Sequence, residues 1–134
     1  MILADTGVWV DFFNGKKTIQ SDTLNQCLSD TIVVMGDLIL AELLSGFHEE
    51  EDYRTAKSLL DDLERVELCN RELAIRTAKN IRILRKKGIV VGKTINSIIA
   101  TYCIRHHIAL LYSDPDFEPF VEHLNLRNGS LPGE

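Results

Sequence analysis

Apolar residues along the chain gather into short unbroken runs separated by longer stretches of helical period. Ile2-Leu3-Ala4, Thr31 to Met35 and Ile108 to Tyr112 lack polar alternation, which predicts strands buried on both faces of a parallel sheet. Between them, Val8 to Phe13 predicts a short helix capped by Thr6 and stopped at Asn14-Gly15. Ser21 to Leu28 reads as a helix with Leu24, Cys27 and Leu28 inward, and a third begins at Asp37 and ends near Gly46. Tyr53, Ala56, Leu59, Leu60 and Leu63 form the stripe of an amphipathic helix behind the acidic run Glu49 to Asp52. Val66-Glu67-Leu68 predicts a brief strand, after which Asn70 caps a helix from Arg71 to about Lys87, closed by Gly88. Lys93 to His107 is a further helix with Ile95, Ile98, Ile99, Tyr102 and Cys103 inward. Phe117 to Leu124 is a short helix, and Leu126 opens a last edge segment before the polar tail Arg127 to Glu134.

Strands alternating with helices imply an α/β fold, a mostly parallel sheet of four to five strands flanked by helices, with ligands outside the carboxyl ends of the strands. The 134 residues, 45% hydrophobic and 26% charged, suffice for one core, so residues 1–134 are expected to form a single domain. No apolar stretch approaches the roughly 18 residues of a membrane span. The opening Met1-Ile2-Leu3-Ala4-Asp5 has no basic region of the secretory kind. A cytoplasmic protein with no membrane partner is expected. Cys27, Cys69 and Cys103 are odd in number and widely spaced, which suggests buried free thiols instead of a disulfide framework or metal site.

A formal charge of -5 argues by itself against a polyanionic partner, but the charge is unevenly distributed. Residues 71 to 93 carry eight bases against Glu72, a net +7, which leaves -12 elsewhere. Such a segment is either a solvated helix face or a basic ridge beside an acidic pocket.

Four acids resist a surface explanation by their place in the pattern. Asp5 and Asp114 end apolar runs, Asp116 follows Asp114-Pro115, and Glu42 sits among apolar helix positions. Singly, each reads as a cap, a turn residue or a paired helix position. Together they supply the oxygen ligands that hard divalent cations such as Mg²⁺ or Mn²⁺ require, and metal-assisted phosphoryl chemistry becomes the leading reading.

The run Met1 to Phe13 resembles the opening of PIN-domain proteins, in particular the VapC-type toxins of toxin–antitoxin pairs. The resemblance continues through Leu38 to Gly46, Thr94 to Ala100 and Leu110 to Phe117, in order along nearly the whole chain. It implies a PIN-like fold and a Mg²⁺- or Mn²⁺-dependent endoribonuclease, a homodimer, that cuts transfer or ribosomal RNA and is inhibited by a cognate antitoxin. By the same resemblance Asp5, Glu42 and Asp114 bind metal, with Asp116 auxiliary. The third acidic position falls on Asn96, whose amide offers a neutral oxygen and no charge. Asn96 serves an active site as a neutral ligand or water-orienting group, or else marks a binding module that holds antitoxin or RNA without efficient cleavage, the amide being natural or introduced. Gly7 and Tyr112 are lesser departures from the family pattern.

His106 and His107 are adjacent and diverge on a helix, while His48 and His123 lack companions at ligand spacing, so none is expected to bind metal. Trp9, Phe12 and Phe13 are read as core or dimer packing. Leu38, Leu43, Leu44 and Phe47, with the helix around Tyr53 to Leu63, present enough apolar positions for a partner-peptide groove. Antitoxin tails in the resembled family occupy such grooves, often bringing an arginine to the acidic pocket.

Overall fold

The computed structural model describes residues 1–130. Its four strands are β1 (Ile2–Ala4), β2 (Val33–Gly36), β3 (Glu64–Val66) and β4 (Ala109–Leu111), ordered β3-β2-β1-β4 and all parallel. The register sets Ala4 opposite Leu111 and Leu3 opposite Val34. Asp5 and the residues after Leu111 therefore leave the same edge of the sheet side by side. The Asp5 N–H donates to the Leu111 carbonyl at 2.9 Å, which fixes this alignment.

The helices are α1 (Thr6–Phe13), α2 (Ile19–Asp30), α3 (Asp37–Ser45), α4 (Glu50–Asp61), α5 (Arg71–Lys86), α6 (Thr94–His106) and α7 (Glu118–Leu124), with a 3-10 turn at Pro115–Phe117. On one flank α1 packs against α2 and α3; on another, α5 packs against α6. Leu3, Leu110, Leu111, Ile39, Ile99, Leu84 and Phe117 are buried in one cluster drawn from sheet and helices. Each such side chain contributes roughly 1.5–3 kcal/mol. Trp9 is fully buried, stacked on Phe13 at 5.8 Å and edge-on to Phe12 at 5.7 Å, which bears out the packing reading of these aromatics.

Several boundaries differ from the sequence expectation for physical reasons. Asp5, not Thr6, occupies the N-cap position of α1. The helix α2 begins at Ile19, because Thr18 and Ser21 form a reciprocal capping box. Thr31 ends α2, its N–H bonding to Cys27 O, so β2 starts only at Val33. The brief strand lies at Glu64–Val66 instead of Val66–Leu68: Asp37 Oδ1 accepts the Leu68 N–H at 3.0 Å and draws that residue out of the sheet. The acids Glu50, Glu51 and Asp52 lie inside the first turn of α4, where they offset the helix dipole. Near Leu126 the chain makes a single parallel bridge, Leu110 with Asn128. Leu131 to Glu134 lie outside the described residues.

One expectation about burial is corrected. Only Cys103 is buried; Cys27 packs half-buried against the core from α2, and Cys69 is exposed in the segment between β3 and α5. Of the apolar positions expected to line a groove, Leu43 and Leu60 are buried, and Leu38, Leu44, Phe47, Leu59 and Leu63 are partly buried against the core. Among the described residues no helix is long and apolar enough to cross a membrane.

Candidate active site

Asp5 directly follows β1, Asp114 is the third residue after β4, Glu42 sits mid-way along α3, and Asn96 lies in the first turn of α6. The register thus gathers residues far apart in sequence at the carboxyl edge of the sheet. Asp5 is 7% exposed and Asn96 6%. Asp114 and Asp116 are half-buried and Glu42 is exposed. The idea that all four acids avoid solvent is therefore corrected: it holds fully for Asp5 alone, because α3 turns Glu42 outward.

Glu42 is held nonetheless. Thr6 Oγ1 donates to Glu42 Oε1 at 2.8 Å, so the hydroxyl next to Asp5 aims the glutamate on the neighbouring helix. On the other side, Asn96 Nδ2 donates to Asp114 Oδ2 at 3.2 Å and to Asp116 Oδ2 at 3.3 Å. Asp114 Oδ1 accepts the Asp116 N–H at 3.0 Å, which closes the turn that carries both aspartates. Gly92, four residues before Asn96, lies so close to Asp116 that a β-carbon there would collide with the carboxylate.

The Asp5 carboxyl is pushed up from 3.8 to about 6. Burial is the largest cause; the Thr6 backbone and Lys93 pull the other way, while the charges of Glu42 and Asp114 add to the rise. A desolvated carboxylate facing two more of its own sign is unfavourable to ionise, and a bound cation relieves that strain. The donor chemistry, carboxylate oxygens with an amide among them, fits a hard divalent ion. In the described residues no three His, Cys, Asp or Glu side chains are drawn to a common point. The Asn96 amide bridges two of the acids instead.

Thr6, Gly92 and Lys93 are neighbours of this site that the sequence pattern alone does not connect to it. A threonine beside a strand-end aspartate is a usable signal, although the same residue type also suits a helix cap. The fit of Gly92 against Asp116 depends on the loop after α5 and has no local signature. Gly7 has open space around it, with no atom within 4 Å of where a β-carbon would stand. Tyr112 turns its hydroxyl to Glu118 Oε1 at 2.8 Å, so neither departure reaches the acids. His106 packs on Tyr102 with ring centroids 4.3 Å apart, and His107 caps α6 in the left-handed conformation.

Residues 2–120 match the PIN domain family. The chain belongs to that family. It is 29% identical over 134 residues to Ribonuclease VapC11 of Mycobacterium tuberculosis and to a VapC ribonuclease of Mycobacterium bovis, covering 98% of this chain and 99% of each relative. Among solved structures it is similar to VapBC2 from Rickettsia felis bound to a DNA fragment from its promoter, with TM-score 0.74, 20% identity, and coverage of 96% of this chain and 97% of that one. It is also similar to VapBC-1 from nontypeable Haemophilus influenzae, with TM-score 0.72, 19% identity, and coverage of 98% and 100%.

Proposed function

We propose that the chain is a VapC-type toxin: a Mg²⁺- or Mn²⁺-dependent endoribonuclease, acting in the cytoplasm as a homodimer and inhibited by a cognate antitoxin. The observation that supports this reading is Asp5, buried at the carboxyl edge of the sheet and facing the like charges of Glu42 and Asp114, the latter held by Asn96. The full-length similarity to VapC ribonucleases supports the substrate class, and the likeness to VapBC complexes supports the antitoxin.

Asp5, Glu42 and Asp114 are the residues that would hold the ion, with the Asn96 amide and Asp116 beside them. Bound there, a divalent ion supplies an acidified water and offsets charge on the phosphodiester. The chain's own residues do the positioning. Thr6 fixes the direction of Glu42, Asn96 holds the Asp114–Asp116 turn, and burial of Asp5 keeps bulk water from its carboxyl. Asp5 ionises above about pH 6, so its carboxyl is mostly negative at neutral pH.

A second reading is favoured by one contact pair. Because Asn96 donates to both aspartates, two of their oxygens are occupied by hydrogens that an ion has to displace. A protein so arranged binds antitoxin or RNA and cuts slowly. The test is Mn²⁺-dependent cleavage of a structured RNA by the chain, by Asn96→Asp, and by Asp5→Ala as control. Measurable cutting that Asp5→Ala abolishes supports the nuclease reading. Cutting only by Asn96→Asp supports the impaired one, and cutting by none of the three on transfer and ribosomal RNA counts against both.

A further inference from the structure

The +7 segment is not uniformly free to meet a partner. Glu72, its one acid, pairs with Arg76 at 3.2 Å and with Arg105 of α6 at 3.5 Å, so part of the positive charge beside it is offset. Among the described residues Arg71, Lys79, Arg82, Arg85, Lys86, Lys87 and Lys93 take part in no ion pair. Lys79, Arg82 and Lys86 stand at i, i+3 and i+7, one exposed face of the helix spanning about 10 Å. Complementing the helix dipole accounts for Arg85 and Lys86 in the last turn but not for Lys79 or Arg82, which lie earlier.

The free cations also lead somewhere. Gly88 turns the chain in the left-handed conformation at φ 81°, and the following segment brings Gly92 against Asp116. Lys93 is therefore adjacent to the acid cluster, exposed, at the N-cap position of α6. Elsewhere the protein carries -12, which repels a polyanion and confines it to this strip.

We propose that RNA lies along the outer face of α5, its phosphates on Lys79, Arg82 and Lys86, and enters the acid cluster past Lys93, the cation that holds the phosphate to be cut. This rests on the ribonuclease reading and adds to it the path of the substrate. Arg76 and Arg105, both paired with Glu72, lie off that path.

The test measures binding and cutting separately. Binding of a fluorescein-labelled RNA hairpin is followed by anisotropy on the full-length Asp5→Asn chain, across a salt series. Adding Lys79→Gln, Arg82→Gln and Lys86→Gln together is expected to weaken binding at least tenfold and to flatten the slope of log K against log salt by about 2. Adding Arg76→Gln with Arg105→Gln, the two cations paired with Glu72, is expected to leave affinity within threefold. With Asp5 intact and Mn²⁺ present, Lys93→Gln is expected to lower the cleavage rate more than it lowers RNA affinity. Equal losses from the two sets of variants, or no loss from the first, overturn the proposal. So does a change of the triple variant from dimer to monomer at unchanged RNA affinity, which assigns the face to a second copy of the chain. If the intact chain cuts RNA but the triple variant binds normally, the path fails alone. If the triple variant loses binding while the intact chain never cuts, the path stands and the nuclease reading fails.

Discussion

Asn96 Nδ2 donates to Asp114 Oδ2 at 3.2 Å, joining the first turn of α6 to the turn after β4 at the point where charge is most crowded. The amide does what an acid there cannot: it gives hydrogens to carboxylates and lowers their mutual repulsion. The same bond competes with an ion for the aspartate oxygens.

Asn96→Asp is accordingly expected to bind Mn²⁺ about tenfold more tightly or better, read by electron paramagnetic resonance of the free ion. In EDTA the same variant is expected to melt below the parent, because a fourth acid enters the cluster without its cation. Unchanged Mn²⁺ affinity is the outcome that removes the amide from the account.

Asp5 sets a pH dependence of stability. The folded chain keeps the Asp5 proton to about pH 6, whereas the ordinary value is 3.8. The unfolded state therefore releases its proton first as pH rises, and between about pH 4 and 6 stability falls by up to about 3 kcal/mol. In EDTA, Asp5→Asn is expected to exceed the parent in urea stability at pH 7.5 by up to that amount and to match it below pH 4. Saturating Mn²⁺ is expected to raise the parent's stability and leave Asp5→Asn unmoved. A constant difference from pH 4 to 7.5 would show that Asp5 does not titrate as described.

Thr6→Val removes the hydroxyl that aims Glu42. Glu42 is exposed and finds water instead, so a stability loss below about 1 kcal/mol is expected. Mn²⁺ affinity is expected to drop about tenfold because a ligand's orienting partner is gone. Calorimetric titration with Mn²⁺ alongside thermal melting separates the two effects; a large loss of stability with normal metal binding reverses the assignment.

Two glycines give opposite expectations. Gly92→Ala drives a methyl into the Asp116 carboxylate, which has to swing aside, and is expected to destabilise the fold by up to about 1 kcal/mol through loss of the Asn96–Asp116 bond. Gly7, inside α1 with open space around it, gains helix propensity on substitution, so Gly7→Ala is expected to stabilise by up to about 1 kcal/mol. Urea unfolding of both variants is the check, and the same sign for both contradicts the contacts described.

Much of this arrangement is legible in the chain because strands buried on both faces leave unbroken apolar runs. Ile2-Leu3-Ala4 and Ala109 to Leu111 stand out for that reason, and parallel pairing then sets Asp5 beside the turn that carries Asp114. Asn70 and Gly88 mark the ends of α5 because a side-chain cap and a left-handed turn have local chemistry. What the pattern does not carry is long-range. Asp37 draws Leu68 out of the sheet, Thr6 faces Glu42 across 36 residues, and Gly92 meets Asp116 only after two helices have packed. The exposure of Glu42 is hidden for the opposite reason: its apolar neighbours face the core on other sides of α3. Nor does the pattern divide the basic segment, because Glu72 takes one of its partners, Arg105, from α6.

The central claim is that these residues form one metal-dependent site for cutting RNA. The most direct measurement is the cleavage rate of a structured RNA in Mn²⁺ by the chain and by Asp5→Asn, each repeated in EDTA. The expected result is cutting by the parent in Mn²⁺ that EDTA stops and that falls by orders of magnitude in Asp5→Asn. Equal rates for parent and Asp5→Asn, or cutting by the parent that persists in EDTA, would contradict it.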